Sequence, residues 1–244
     1  MWLLDLGARE TRQLLADVPL DEGASNAADY RIYQPERFVL DDAGQPAALI
    51  VDAGVWEWNT VGVYDLASGA LQELGGQLHT SLLPLSDGRV LLYGNSGLAG
   101  EFALHVAESL DDINDFSEVL SFGALTGATL FAEQAVEISP GIVRVFGSAL
   151  SERPEEALAF SFDFDVTAGT ATEVQFVTLS EGDESSNTVT GRLSPDGRLI
   201  PVYLNALWTD AGSLYGNFAL LDLDTGARVT AEFPETVGVF RWQP

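Results

Sequence analysis

The feature that most constrains this chain is a hairpin written more than once. Residues 63–74 read Val-Tyr-Asp-Leu-Ala-Ser-Gly-Ala-Leu-Gln-Glu-Leu, and residues 220–229 repeat the pattern as Leu-Leu-Asp-Leu-Asp-Thr-Gly-Ala-Arg-Val. Residues 2–14 form a looser copy with its acid at Asp5, and residues 159–174 a diverged one carrying Asp165 and Gly169. Residues 104–119 are a weak copy whose turn has become an acidic loop. In the clearest copies, apolar strand formers flank an Asp-x-x-(Ser/Thr)-Gly turn. There the aspartate is expected to accept backbone N–H bonds and the glycine to take a positive φ.

A second hairpin type alternates with the first. Its turns are Asp41-Asp42-Ala43-Gly44, Ser86-Asp87-Gly88, Ser139-Pro140-Gly141 and Ser194-Pro195-Asp196-Gly197, each set between apolar runs. Two alternating hairpins make a unit of four strands, and the unit recurs at about 45 to about 58 residues. The segments Ser194-Pro195-Asp196-Gly197-Arg198 and Tyr64-Asp65-Leu66-Ala67-Ser68-Gly69 resemble bacterial β-propeller repeats of the kelch, WD-like and YVTN kind. The Trp-Asp dipeptide of true WD repeats is absent. The expected fold is all-β: a β-propeller of four-stranded antiparallel blades, forming one domain over 1–244. Whole blades are expected at roughly 35–75, 78–121, 129–177 and 188–234, with outer strands from 1–15 and an inner strand from 237–242. These terminal strands would make a fifth, composite blade, or an incomplete one if the chain is part of a longer propeller. A β-sandwich would also show short alternating strands, but not two turn types alternating at so long a period. Helix is confined to single turns near 109–116 and 151–156.

Composition narrows the partners. The chain has 37 acids against 11 bases, a formal net charge of −26, and no lysine. Such a charge repels nucleic acid and anionic membrane, and favours cationic partners, Ca²⁺ or high salt. Either a halophilic source or an acidic secreted protein from a GC-rich genome accounts for it. With no cysteine, disulfides and thiolate metal sites are excluded. No apolar run is long enough for a membrane helix. Met1 leads straight into strand-like Trp2-Leu3-Leu4-Asp5 with no signal peptide. The chain is therefore expected to be cytoplasmic, or, if a piece of a longer protein, periplasmic or secreted. A monomer is expected.

The resemblance implies that ligands meet the loops joining second to third strands and each blade to the next. The richest is Asp52–Asn59, which carries Trp56, Glu57, Trp58 and Asn59. Its counterpart, Asn205–Asp210, carries Trp208 and Asp210, and the other two are Gly94–Gly97 and Ser148–Glu156. Aromatics beside carboxylates can stack on a sugar ring or hold a cation; equally, one tryptophan can pack between blades. His79 stands before an inner strand, as a general base or as a polar strand cap. No catalytic residue is assigned, and no cofactor beyond a weak Ca²⁺ reading of Asp111-Asp112-Ile113-Asn114-Asp115. That loop lacks the glycine and distal glutamate of an EF-hand. The expected function is binding or scaffolding of a protein, peptide or carbohydrate; the alternative is a glycosidase-like hydrolase or lyase using channel carboxylates.

Overall fold

A computed structural model describes residues 1–5, 9–20, 30–41, 43–55, 58–75, 81–94, 103–150, 152, 156–181, 188–208 and 214–231. Its strands form antiparallel sheets of the propeller-blade type. Blade I contains β3 (Val18–Pro19), β4 (Tyr30–Leu40), β5 (Pro46–Val55), β6 (Trp58–Asp65) and β7 (Leu71–Glu73), in that order across the sheet. Before it lies the hairpin β1 (Trp2–Asp5) and β2 (Glu10–Gln13). Blade II is β8 (Ser81–Pro84), β9 (Val90–Tyr93), β10 (Ala103–Ala107) and β11 (Phe116–Ser121). Blade III has β12 (Leu130–Ser139), β13 (Ile142–Ala149) and β14 (Glu156–Asp165). Its outer strand comes in two pieces, β15 (Thr170–Ala171) and β16 (Gln175–Glu181), both paired to β14. Blade IV is β17 (Val189–Thr190), β18 (Leu199–Trp208), β19 (Leu214–Asp222) and β20 (Arg228–Ala231).

Among the described residues four blades are thus present, and the β1–β2 hairpin stands as a two-stranded sheet of its own. The proposed inner strand at 237–242 lies outside the described residues. Among those, helix is limited to 3₁₀ turns at Leu110–Asp112 and Phe122–Ala124. No helix there is long and apolar enough to cross a membrane.

Both hairpin turns behave as their chemistry dictates. Asp65 Oδ1 accepts from the Ser68 N–H and hydroxyl, both at 2.6 Å. Asp165 Oδ1 accepts from the Thr167 and Ala168 N–H groups, and Asp222 Oδ1 from those of Asp224 and Thr225. At Ser194-Pro195-Asp196-Gly197, glycine is required twice over. Its φ is +72°, and a Cβ there would stand 2.6 Å from Ile138 Cγ2.

The chain divides into two compact units. The first is Met1–Pro84 with Gly88–Gly100 and Val106–Ser117; the second is Leu85–Asp87, Glu101–His105 and Glu118–Pro244. In the first, Ala48, Ile50, Val61 and Val63 of blade I pack on Leu82, Val90, Leu92, Ala107 and Ile113 of blade II. The alternate residues Leu49, Val51 and Tyr64 face the other way, where Met1, Leu14 and Leu15 cover them. A strand buried on both faces needs no polar alternation, which explains the unbroken run Ala48-Leu49-Ile50-Val51. Asn114 joins the two blades, donating to the Glu73 carbonyl at 3.0 Å and accepting from the Gly75 N–H at 2.6 Å. The acidic loop with a Ca²⁺-like sequence thus spends its asparagine on a backbone tie and buries Ile113 completely.

In the second unit, Phe146, Ala159 and Leu179 of blade III meet Ile200, Val202, Leu221 and Leu223 of blade IV. Phe146 is fully buried, which contributes about 1.5–3 kcal/mol by area alone. The other face of blade III stacks Phe160 on Phe162, with Phe122 edge-on to both. At the turn end, Arg144 forks onto Asp163 at 2.6 and 3.0 Å and reaches Asp224 at 2.6 Å. Those carboxylates raise its pKa further above the usual arginine range, against an opposing effect of burial.

Candidate binding cleft

At the end of blades III and IV away from these turns, the sheet departs from regularity. The β12–β13 register shifts between Ala132 and Gln134, leaving Glu133 as the extra residue of a β-bulge. Such a bulge bends the strand and re-aims its side chain. Gly147 on β13 permits it: a Cβ there would lie 1.9 Å from the Phe131 carbonyl oxygen. Only glycine lets the two backbones approach so closely. Next door, the Ser148 hydroxyl donates to Glu133 Oε1 at 2.6 Å. Gln134, just past the bulge, donates to the Gly191 carbonyl at 2.7 Å and accepts from the Leu193 N–H at 2.6 Å. The bulge is thereby tied to the backbone leading into blade IV.

These features border a cavity of about 550 Å³, a size that suits a small ligand or a side chain. Its walls are apolar, from Phe146, Leu158, Leu179 and Val189, while Glu133, Glu156, Ser148, Thr188 and Thr190 supply polar groups. Glu156 Oε1 accepts from the Thr178 hydroxyl at 2.6 Å. The hydroxyls of Ser180 and Thr188 bond to each other. No basic residue is among the described lining residues. The cleft can therefore accept hydrogen bonds from a donor-rich ligand and cover an apolar portion of it.

The cleft uses both ends of the Ser148–Glu156 connection, one of the loops that the sequence points to. None of the residues singled out individually is among the described lining residues. Trp56, Glu57, His79 and Asp210 lie outside the described residues. For Trp58, Asn59 and Trp208 only the backbone is described: they stand opposite Val55, Gly54 and Leu214 in their ladders. The second histidine, His105, is half-buried on β10, and burial lowers its pKa against the opposing charge of Glu118.

Sequence reasoning missed Glu133 and named Glu156 only as the end of the Ser148–Glu156 loop. A signal for Glu133 was nevertheless present. Glu36 precedes the turn glycine Gly44 by the same spacing that separates Glu133 from Gly141. Glu36 is likewise a bulge residue, between Pro35 and Arg37 on β4. Where blade III has Ser148 on the second strand, blade I has Asp52, opposite Gln34. Burial, and then the charge of Glu36, push the Asp52 carboxyl above the usual range. Its Oδ1 is buried without a hydrogen-bond partner. Glu36 itself accepts from Arg37 at 2.9 Å.

No protein-family model matches the sequence, and no curated protein matches it either. Solved structures do resemble it. An endo-arabinase from Bacteroides thetaiotaomicron VPI-5482 superposes with a TM-score of 0.50 at 13% identity, over 91% of this chain and 84% of that one. TolB from Acinetobacter baumannii gives 0.47 at 12% identity, over 94% of this chain and 47% of that one. Oligopeptidase B from Leishmania major gives 0.47 at 12%, over 85% and 28%. The chain spans about half the length of that TolB and less than a third of that oligopeptidase. At such identities the endo-arabinase likeness is one of fold alone.

Proposed function

We propose that this chain is a binding or scaffold module, a single-domain bacterial propeller of the kelch, WD-like or YVTN kind. It recognises a protein, peptide or carbohydrate through the loop end of its blades. The observation that carries this reading is the cleft of blades III and IV, where a bulge presents Glu133 beside apolar walls. Hydroxyls hold its carboxylates: Ser148 donates to Glu133 and Thr178 to Glu156. A serine that donates to a carboxylate, with no imidazole among the described lining residues to take its proton, is arranged for recognition rather than for attack. Trp56, Glu57, Trp58, Asn59, His79, Trp208 and Asp210 belong to the same proposal as ligand contacts from the other loops.

The competing reading is a hydrolase or lyase, in which Glu133 and Glu156 serve as the acid and base of one cleft. Glycan and peptide arrays probed with the purified chain, alongside turnover assays on the array hits, separate the two. Binding without turnover, weakened by Leu179→Glu in the cleft wall, is expected. Turnover that is abolished by Glu133→Gln and by Glu156→Gln would replace this reading with the enzymatic one.

A further inference from the structure

We infer that the ligand of the blade III–IV cleft is a peptide that inserts a basic side chain, with Glu133 as its charge partner. This rests on the binding reading above and gives it a chemistry. Ser148 occupies Oε1 of Glu133, and the second oxygen has no partner among the described residues. That oxygen belongs to an exposed side chain at the rim of a cavity of about 550 Å³. Ser148 holds the carboxylate in place, and no basic residue is among the described lining residues. A fixed carboxylate selects a cationic donor over a neutral hydroxyl, because only the cation adds opposite-charge attraction to the hydrogen bond.

The walls select what carries the charge. Leu158, Leu179 and Val189 line the same cavity with apolar surface. The aliphatic stem of arginine or lysine covers such surface while its head reaches a polar rim. A sugar ring has no comparable stem, and a metal ion has no use for the apolar walls. The rest of the molecule favours the same partner. With a net charge of −26, long-range attraction raises the encounter rate of basic peptides and repels acidic ones.

The test uses the intact chain and two probes of equal shape, Nα-acetyl-arginine amide and Nα-acetyl-citrulline amide. Ligand-observed NMR titration is expected to show the arginine probe binding and the citrulline probe failing to bind. Glu133→Gln retains an acceptor for Ser148, so it should fold normally while weakening the arginine probe about five- to tenfold. Glu10→Gln removes the same charge from exposed β2 and should leave the affinity unchanged. Equal binding of both probes, or equal weakening by the two substitutions, overturns the inference, because general charge attraction or shape would then suffice. Binding of a neutral oligosaccharide instead, abolished by Leu179→Glu, overturns the inference while keeping the binding module. Absence of any array ligand together with absence of both probes overturns both.

Discussion

Replacing Gly147 by alanine tests the construction of the cleft most directly. The added Cβ would stand 1.9 Å from the Phe131 carbonyl oxygen, 2.8 Å from its carbon and 3.0 Å from Ala132 Cα. All three are backbone atoms, so no side chain can swing aside. Restoring ordinary contact requires β12 and β13 to separate by roughly 1.5 Å or more, enough to disturb the ladder bonds on either side of the bulge. Overpacking of this kind costs typically about 1–3 kcal/mol. The reduced freedom of the unfolded chain offsets about 0.4–1 kcal/mol of that. A net loss of about 2 kcal/mol, with disturbed ladder bonds included, corresponds to a fall in Tm of about 4–8 °C for a chain this long. Urea unfolding followed by tryptophan fluorescence gives the stability, and the arginine probe reports on Glu133. Gly169→Ala is the control. Gly169 has φ +65°, and a Cβ added there would meet nothing within 4 Å, so only backbone strain of about 1–2 kcal/mol applies and probe binding should be unchanged. If Gly147→Ala were as stable as the parent and bound the probe equally, the bulge would not depend on that close approach.

Three further outcomes follow from the same structure. Asp52→Asn should stabilise the protein at neutral pH. The folded-state pKa of Asp52 is raised by burial and by Glu36, so the folded chain holds its proton where the unfolded chain, at about 3.9, has lost it. The wild type therefore loses stability relative to the variant as pH rises from about 4 through the raised pKa, and the difference vanishes below about 4. Denaturation midpoints that stay parallel across that range would refute this. Arg144→Met should cost about 2–4 kcal/mol, because Asp163 and Asp224 lose their shared partner while Asp163 stays three-quarters covered; an unchanged urea midpoint would show the clamp to be energetically idle. Raising NaCl from about 0.02 to about 0.5 M should raise the Tm by screening the net charge of −26, and a flat or falling Tm would count against self-repulsion as a significant term.

Much of the blade plan was legible from sequence, and the departures have local causes. In blade I, β4 runs from Tyr30 through Pro35 to Leu40, and β3 pairs with it at the sheet edge. Pro35 looks like a strand boundary, but it stands beside the Glu36 bulge, where the ladder is already interrupted and a missing N–H costs little. The outer strand of blade III pairs in two pieces, β15 and β16, with a break over 172–174. Thr172 there turns its hydroxyl to the Asp163 N–H and its own N–H to the Asp163 carbonyl.

The turns were fixed by sequence because their bonds close within a few residues. Asp65 reaches Ser68, and Asp222 reaches Thr225, whatever the remainder of the chain does. The alternation of two such turns then dictated four-stranded antiparallel units. Which acids matter was a different kind of question. Among 37 of them, Glu133 is marked only by the spacing to a turn glycine that it shares with Glu36, and nothing local distinguishes Glu156. They gain meaning only because β12, β13, β14 and the start of blade IV converge on one cavity, and because Gly147 lets β12 bulge there. Convergence of distant strands depends on packing of the blades against each other, a property of the folded chain that no short stretch of sequence carries.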